Sequence, residues 1–111
     1  MTEQLTDEIL QARAKAGAEL LDKLKPCWYR SVRLDTLKLS DCSDCVLGQL
    51  FGGYGYGVFV LRRHLRDVDA AANGFTLTCE EADRASITET DELYARLTEF
   101  WKVEIQNRRN S

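Results

Sequence analysis

The chain has 111 residues, of which 44% are hydrophobic and 30% are charged. This composition is typical of a soluble globular domain with its own core, and it excludes intrinsic disorder for most of the chain. Fifteen basic against eighteen acidic residues give a net charge of −3. That balance argues against non-specific binding to nucleic acid, which depends on neutralising phosphates.

A first helix is predicted from Asp7 to about Leu24. Thr6 is a good N-cap, and Asp7 and Glu8 follow it where the helix dipole favours negative charge. Pro26 ends the helix, because the residue before a proline is pushed out of the α region. The apolar positions form one broad face made of two adjacent stripes: Ile9, Ala12, Ala16, Leu20 and Leu24, then Leu10, Ala14, Ala18 and Leu21.

A connector and a second helix follow. Apolar side chains are irregularly spaced over residues 27–39, which predicts an extended connector with one helical turn near Trp28, itself expected in the core. Serine and aspartate at residues 40–43 are competent N-caps, so we expect the second helix to start there and to run to Phe51. Gly52 ends it, since glycine adopts the left-handed conformation without steric cost.

The next segment is rich in glycine and aromatic residues. Gly53–Gly57 is expected to form a loop, and Val58–Asn73 a third helix, although β-branched and aromatic side chains at the start of that range also fit a short buried strand. Gly74 and Phe75 predict a left-handed closure of the helix with a hydrophobic contact.

The C-terminal third is predicted to hold one long helix. A capping-box pattern at the start of this third of the chain makes a separate short helix over Cys79–Ala85 possible. Thr88 or Thr90 then caps the last helix, whose final turn carries Arg108 and Arg109 near the negative end of the dipole.

These elements together predict a mainly α fold: a single compact domain of about four helices, with a glycine-rich loop and irregular connectors. We expect it to span residues 1–111, with residues 1–5 and 110–111 frayed. No apolar run approaches the roughly 20 residues of a membrane span, and Met1–Leu10 lacks the pattern of a signal peptide. The expected location is therefore the cytoplasm.

The most specific local feature is the Cys-x-x-Cys pair Cys42 and Cys45. Redox chemistry is disfavoured, because no strand–helix–strand pattern accompanies the pair. A zinc site is a second interpretation, although a second close-spaced pair is absent. Its further ligands would come from Cys27, Cys79 and His64. The interpretation that we favour treats the thiols as small buried hydrophobes.

The glycine segment and the basic stretch after it are the candidates for binding. Gly53–Gly57 lacks both the dinucleotide fingerprint and the lysine of a phosphate loop. Tyrosines on a glycine frame are instead typical of protein recognition. The candidate partner-binding residues are Tyr54, Tyr56, Arg62, Arg63 and Arg66.

A resemblance rests on the stretch Asp41–Gly52, which reads DCxxCVLGQLFG, and more loosely on Tyr54 and Gly74–Phe75. It resembles a group of small proteins from actinobacteria and their phages. The resemblance implies a cytosolic setting, inside the host for a phage-encoded protein. It implies no mechanism and assigns no functional residue.

The leading functional hypothesis is a non-enzymatic accessory protein that binds another protein. We predict no enzyme and no cofactor, because His64 is the only histidine and nothing in the sequence marks partners for it. A homodimer is compatible with a small helical domain. The alternatives are a zinc-stabilised helical domain that uses Cys42 and Cys45, and nucleic-acid binding through Arg62–Arg66, which the net charge makes unlikely.

Overall fold

Helices make up most of the computed structural model, which describes residues 6–64, 69–77 and 87–110. A 3₁₀ turn, Trp28–Arg30, follows the first helix, and no β-strand occurs in the ranges just given. The chain forms one compact globule with a radius of gyration of 13.2 Å. The predicted mainly α fold is therefore confirmed. The helices are α1 (Asp7–Leu24), α2 (Val46–Phe51), α3 (Tyr54–His64) and α4 (Ile87–Arg109).

The first helix has the predicted bounds. The Thr6 hydroxyl accepts a hydrogen bond from the Ile9 amide at 3.3 Å, and the helix ends at Leu24. Of the two apolar stripes, the second is the one that the fold buries, while the first is only partly covered or exposed. The buried residues of α1 are Leu10, Ala14, Gly17, Ala18 and Leu21.

Three aromatic rings form the centre of the core. Trp101 of α4 meets Trp28 edge to face, with 5.8 Å between ring centroids, and stacks on Phe75 at 5.4 Å. Its indole N–H donates to the carbonyl of Gly74 at 2.6 Å. Burying an indole of this size stabilises the fold by roughly 5 kcal/mol at most. The placement of Trp28 in the core is thereby confirmed.

The left-handed closure predicted at Gly74 and Phe75 is confirmed. It ends a turn that begins at Asp69, however, and does not end α3. The Phe75 amide donates to the Ala70 carbonyl and the Gly74 amide to the Ala71 carbonyl, with Gly74 at φ 73°. The Asp69 carboxylate caps the start of this turn by accepting from two amides that follow it. The prediction of one continuous helix over Val58–Asn73 is therefore wrong, because an aspartate in the capping position begins a new turn.

The C-terminal end of α4 is tied to α1 and the 3₁₀ turn. The Asp22 carboxylate accepts from the Trp28 indole N–H at 2.9 Å and from two nitrogens of the Arg108 guanidinium, at 3.0 and 2.9 Å. Arg109 donates to the carbonyls of Tyr29 and Val32. The sequence predicted only a favourable helix dipole for these arginines, whereas the structure gives them specific long-range partners.

The Asp22 contacts predict a pH-dependent loss of stability. The Arg108 hydrogen bonds hold the pKa of the Asp22 carboxyl below its usual value of 3.8. A carboxyl with a lowered folded-state pKa stabilises the protein above its unfolded pKa and loses that contribution as the pH falls through the folded one. Because the side chain is 42% exposed, Asp22→Asn should cost only about 1 kcal/mol at neutral pH.

Urea unfolding of the native chain and of Asp22→Asn at several pH values measures this difference. The gap should shrink as the pH falls below the unfolded pKa of 3.8 and through the lower folded-state pKa. Asp7→Asn is the control, because Asp7 pairs with Arg96 in a more exposed position and should cost only a few tenths of a kcal/mol. A gap for Asp22→Asn that stays constant with pH would contradict the assignment.

Candidate functional site

The glycine segment forms a helix that packs closely on α2. Gly52, at φ 89°, ends α2, and α3 begins only two residues later, at Tyr54. A methyl group added at Gly57 would lie 2.8 Å from the Leu47 Cβ and 3.1 Å from the Phe51 ring. The prediction of a loop over Gly53–Gly57 is therefore wrong: close packing against α2 outweighs the low helix propensity of glycine.

The opposite side of α3 carries exposed aromatic side chains. Tyr56 is 61% and Phe59 56% exposed, and their rings stack with 6.4 Å between centroids. The Arg63 guanidinium lies 5.9 Å from the centroid of the Phe59 ring, within the range of a cation–π contact. We call Tyr56, Phe59 and Arg63 the aromatic–arginine face. In the described ranges, Val103 of α4 is the other large hydrophobic residue that is exposed.

The predicted partner-binding residues divide between this face and its surroundings. Tyr56 and Arg63 belong to it, and Arg62 is exposed beside it. Tyr54 is half-buried and lies outside the face, and this burial raises the pKa of its hydroxyl. Arg66 lies outside the described residues.

Sequence reasoning missed Phe59. A signal was available, because Phe59 follows Tyr56 by three residues, a spacing that places two side chains side by side on a helix. The expectation of a loop at Tyr56 concealed that spacing.

The second helix begins later than predicted. Its N-cap is Cys45, whose sulfur accepts the Gly48 amide at 3.2 Å and whose thiol points to the Cys42 carbonyl at 3.7 Å. The Asp41 carboxylate, in turn, accepts from the amides of Ser43 and Asp44. The start predicted at residues 40–43 is wrong, because the aspartate side chain stabilises a turn there instead of a helix.

The thiols do not combine into a metal site in the described residues. Cys45 is buried, which raises the pKa of its thiol, while Cys27 and Cys42 are exposed. No group of three or more potential metal ligands occurs where the structure describes the chain. Cys79 and the side chain of His64, the other proposed zinc ligands, lie outside the description. The zinc alternative therefore stays a prediction.

A cavity of about 350 Å³ lies between the connector and α4. Lys38, Asp91 and Glu99 are among the residues that line it, and the Thr98 hydroxyl, also in the lining, bonds to the Leu39 amide and the Tyr94 carbonyl. Neither cysteine nor histidine lines this cavity.

Comparisons with known proteins add no assignment. No family model matches the chain, and no curated protein or solved structure is significantly similar to it. The resemblance of the Asp41–Gly52 motif to actinobacterial and phage proteins therefore stays a prediction. Among the described helices, none has the length and apolar character needed to cross a bilayer.

Proposed function

We propose that the protein is a non-enzymatic protein-binding module whose contact surface is the aromatic–arginine face of α3. The observation that carries the proposal is the exposed stack of Tyr56 and Phe59 with Arg63 above the Phe59 ring. Aromatic and arginine side chains are enriched among the residues that dominate the binding energy of protein interfaces. Aromatic rings bury large areas with little loss of conformational freedom, and the arginine guanidinium stacks on rings and donates several hydrogen bonds.

The anchoring of α3 supports the proposal. Its inner side is fixed by Gly57 and Leu61, which are buried against the rest of the fold. The Tyr54 amide also donates to the Cys42 carbonyl at 3.0 Å, which holds the start of the helix to the preceding loop. A rigid helix presents its outer side chains in fixed positions, so a partner binds without first ordering them.

A photo-crosslinking experiment tests this function. A benzophenone amino acid at position 59, in the cells from which the chain comes, should give a covalent adduct with a defined protein. The same probe at Val103, which is 46% exposed on α4, is the matched control and should give no such adduct. The adduct at position 59 should disappear when Tyr56→Ala and Arg63→Ala are added, because both side chains belong to the contact surface.

Two results would contradict the proposal. One is the absence of any adduct at position 59. The other is an adduct of equal yield at position 103, or one that persists in the Tyr56→Ala and Arg63→Ala background. The cytoplasmic setting and the link to actinobacterial or phage proteins are part of the same proposal.

A further inference from the structure

We infer that the aromatic–arginine face takes an acidic segment of another protein, anchored by an aromatic or aliphatic side chain of that segment. This inference rests on the proposed function and adds the chemistry of the partner. Three properties of the surface carry it: unpaired positive charge, exposed apolar area and open space beside the rings.

The positive charge of α3 is available to a partner. The helix contains two arginines and no acidic residue, in a chain whose net charge is −3. Where the chain is described, ion pairs hold Arg96 and Arg108, but neither Arg62 nor Arg63. An acidic segment would therefore find two guanidinium groups whose hydrogen-bond donors no carboxylate of the described residues occupies.

The space at the glycines that precede Tyr56 is open. Gly52, Gly53 and Gly55 flank Tyr56, and a methyl group added at any of them would meet no atom within 4 Å. A side chain from a partner can therefore lie along the Tyr56 and Phe59 rings without displacing this chain. An aromatic or aliphatic group gains most there, because it removes apolar area on both partners from water.

The same charges argue against other occupants. Two copies joined through this face would bring four arginines together, and like charges facing each other across an interface are unfavourable. A contact between this face and a different surface of a second copy would not close into a dimer. Nucleic acid is disfavoured because two arginines neutralise few phosphates on an acidic chain.

A peptide selection on the full chain tests the inference and does not require the partner to be identified. Random twelve-residue peptides displayed on phage are selected against the immobilised protein, and enriched sequences are synthesised with a fluorescent label. Enriched peptides should combine net negative charge with at least one aromatic or aliphatic residue. Their affinity, measured by fluorescence anisotropy, should fall as salt is raised, since the charges are exposed.

Variants locate the binding surface. Phe59→Ala should weaken binding about tenfold, as expected for an aromatic residue at an interface centre. Arg62→Gln with Arg63→Gln should also weaken it about tenfold and remove most of the salt dependence. The matched controls are Val103→Ala and Arg30→Gln, both exposed and remote in sequence from α3, and they should leave the affinity unchanged.

The outcomes separate this inference from the proposed function. Enriched peptides that are neutral or basic but lose affinity with Phe59→Ala would overturn the inference while leaving the protein-binding function in place. Peptides that bind equally well to Phe59→Ala, or no enrichment at all, would also overturn it. A Phe59-dependent affinity for single-stranded DNA tighter than that for the peptides, or Phe59-dependent self-association by sedimentation, would assign the face to one of the other occupants.

Discussion

Alanine at position 17 should lower the free energy of unfolding by about 3 kcal/mol, although alanine forms helices better than glycine does. Gly17 is buried in the middle of α1. A methyl group there would lie 2.0 Å from the Asn73 carbonyl oxygen and 2.8 Å from two carbons of the Trp101 ring. Neither neighbour can move cheaply, because Asn73 belongs to the closed turn and Trp101 is stacked and hydrogen-bonded.

Gly55→Ala is the matched control for this prediction. It is the same substitution in a helix, but no atom lies within 4 Å of the added methyl group. Helix propensity then acts alone, and the variant should be about 0.5 kcal/mol more stable than the native chain. Urea unfolding of both variants measures the two effects. Equal changes, or a stabilising Gly17→Ala, would show that α1 does not approach Asn73 as closely as described.

The parts of the fold that the sequence predicted are those with local causes. The Thr6 cap and Pro26 define α1 through interactions within a few residues. The closure at Gly74 and Phe75 likewise depends on one glycine and the residues directly before it. Leu97, Trp101 and Ile105 of α4 follow the helical period, and all three are buried as that spacing indicates.

The incorrect parts have two causes: packing against a neighbouring helix, and competition between several local caps. Gly53–Gly57 has the composition of a loop, but all of it except Gly53 lies in α3, where Gly57 packs against Leu47 and Phe51. At the start of α2, residues 40–43 offered several ordinary caps, but the cap is the Cys45 sulfur. The first contact is set by the packing of α3 on α2, while the second is a choice among nearby side chains that cap preferences alone do not decide.

The candidate site was predicted only in part, because its geometry depends on how α3 packs. Tyr56 and Arg63 were chosen for their residue types, which suit interfaces irrespective of backbone conformation. The relation of Phe59 to them depends on α3 beginning at Tyr54, where the Tyr54 side chain is half-buried. Composition therefore indicated what kind of surface to expect. The positions of its side chains follow from the packing of α3 on α2, which composition does not describe.

That packing leads to a second large effect, expected for Gly48→Ala. A methyl group at Gly48 would lie 2.2 Å from the Cys42 carbonyl oxygen and 2.7 Å from backbone atoms of Ser43. Backbone in this loop has little freedom to retreat, since Asp41 and Cys45 hold it by hydrogen bonds. We expect the substitution to cost about 3 kcal/mol of folding free energy.

The displacement should also reach the start of α3. The Cys42 carbonyl that would be pushed away accepts the Tyr54 amide at 3.0 Å. In the folded fraction of Gly48→Ala, the Tyr54 amide should therefore exchange with solvent deuterium faster than in the native chain. The amides around Trp101 should still exchange only through global unfolding, so their exchange should follow the free energy of unfolding of each variant. Hydrogen exchange resolved by residue, together with urea unfolding, measures both consequences.

Gly53→Ala separates this mechanism from a general intolerance of larger residues near the motif. Gly53 lies in the short connection between α2 and α3, and a methyl group there meets no atom within 4 Å. It should change the free energy of unfolding by less than about 0.5 kcal/mol and leave Tyr54 exchange unaltered. If Gly48→Ala were as stable as Gly53→Ala, the Cys42–Cys45 loop would not lie over Gly48. The close approach of the Cys42 carbonyl to Gly48 connects the loop to α2, and the hydrogen bond from the Tyr54 amide connects it to α3. Without that approach, the Asp41–Gly52 motif would lack its structural explanation.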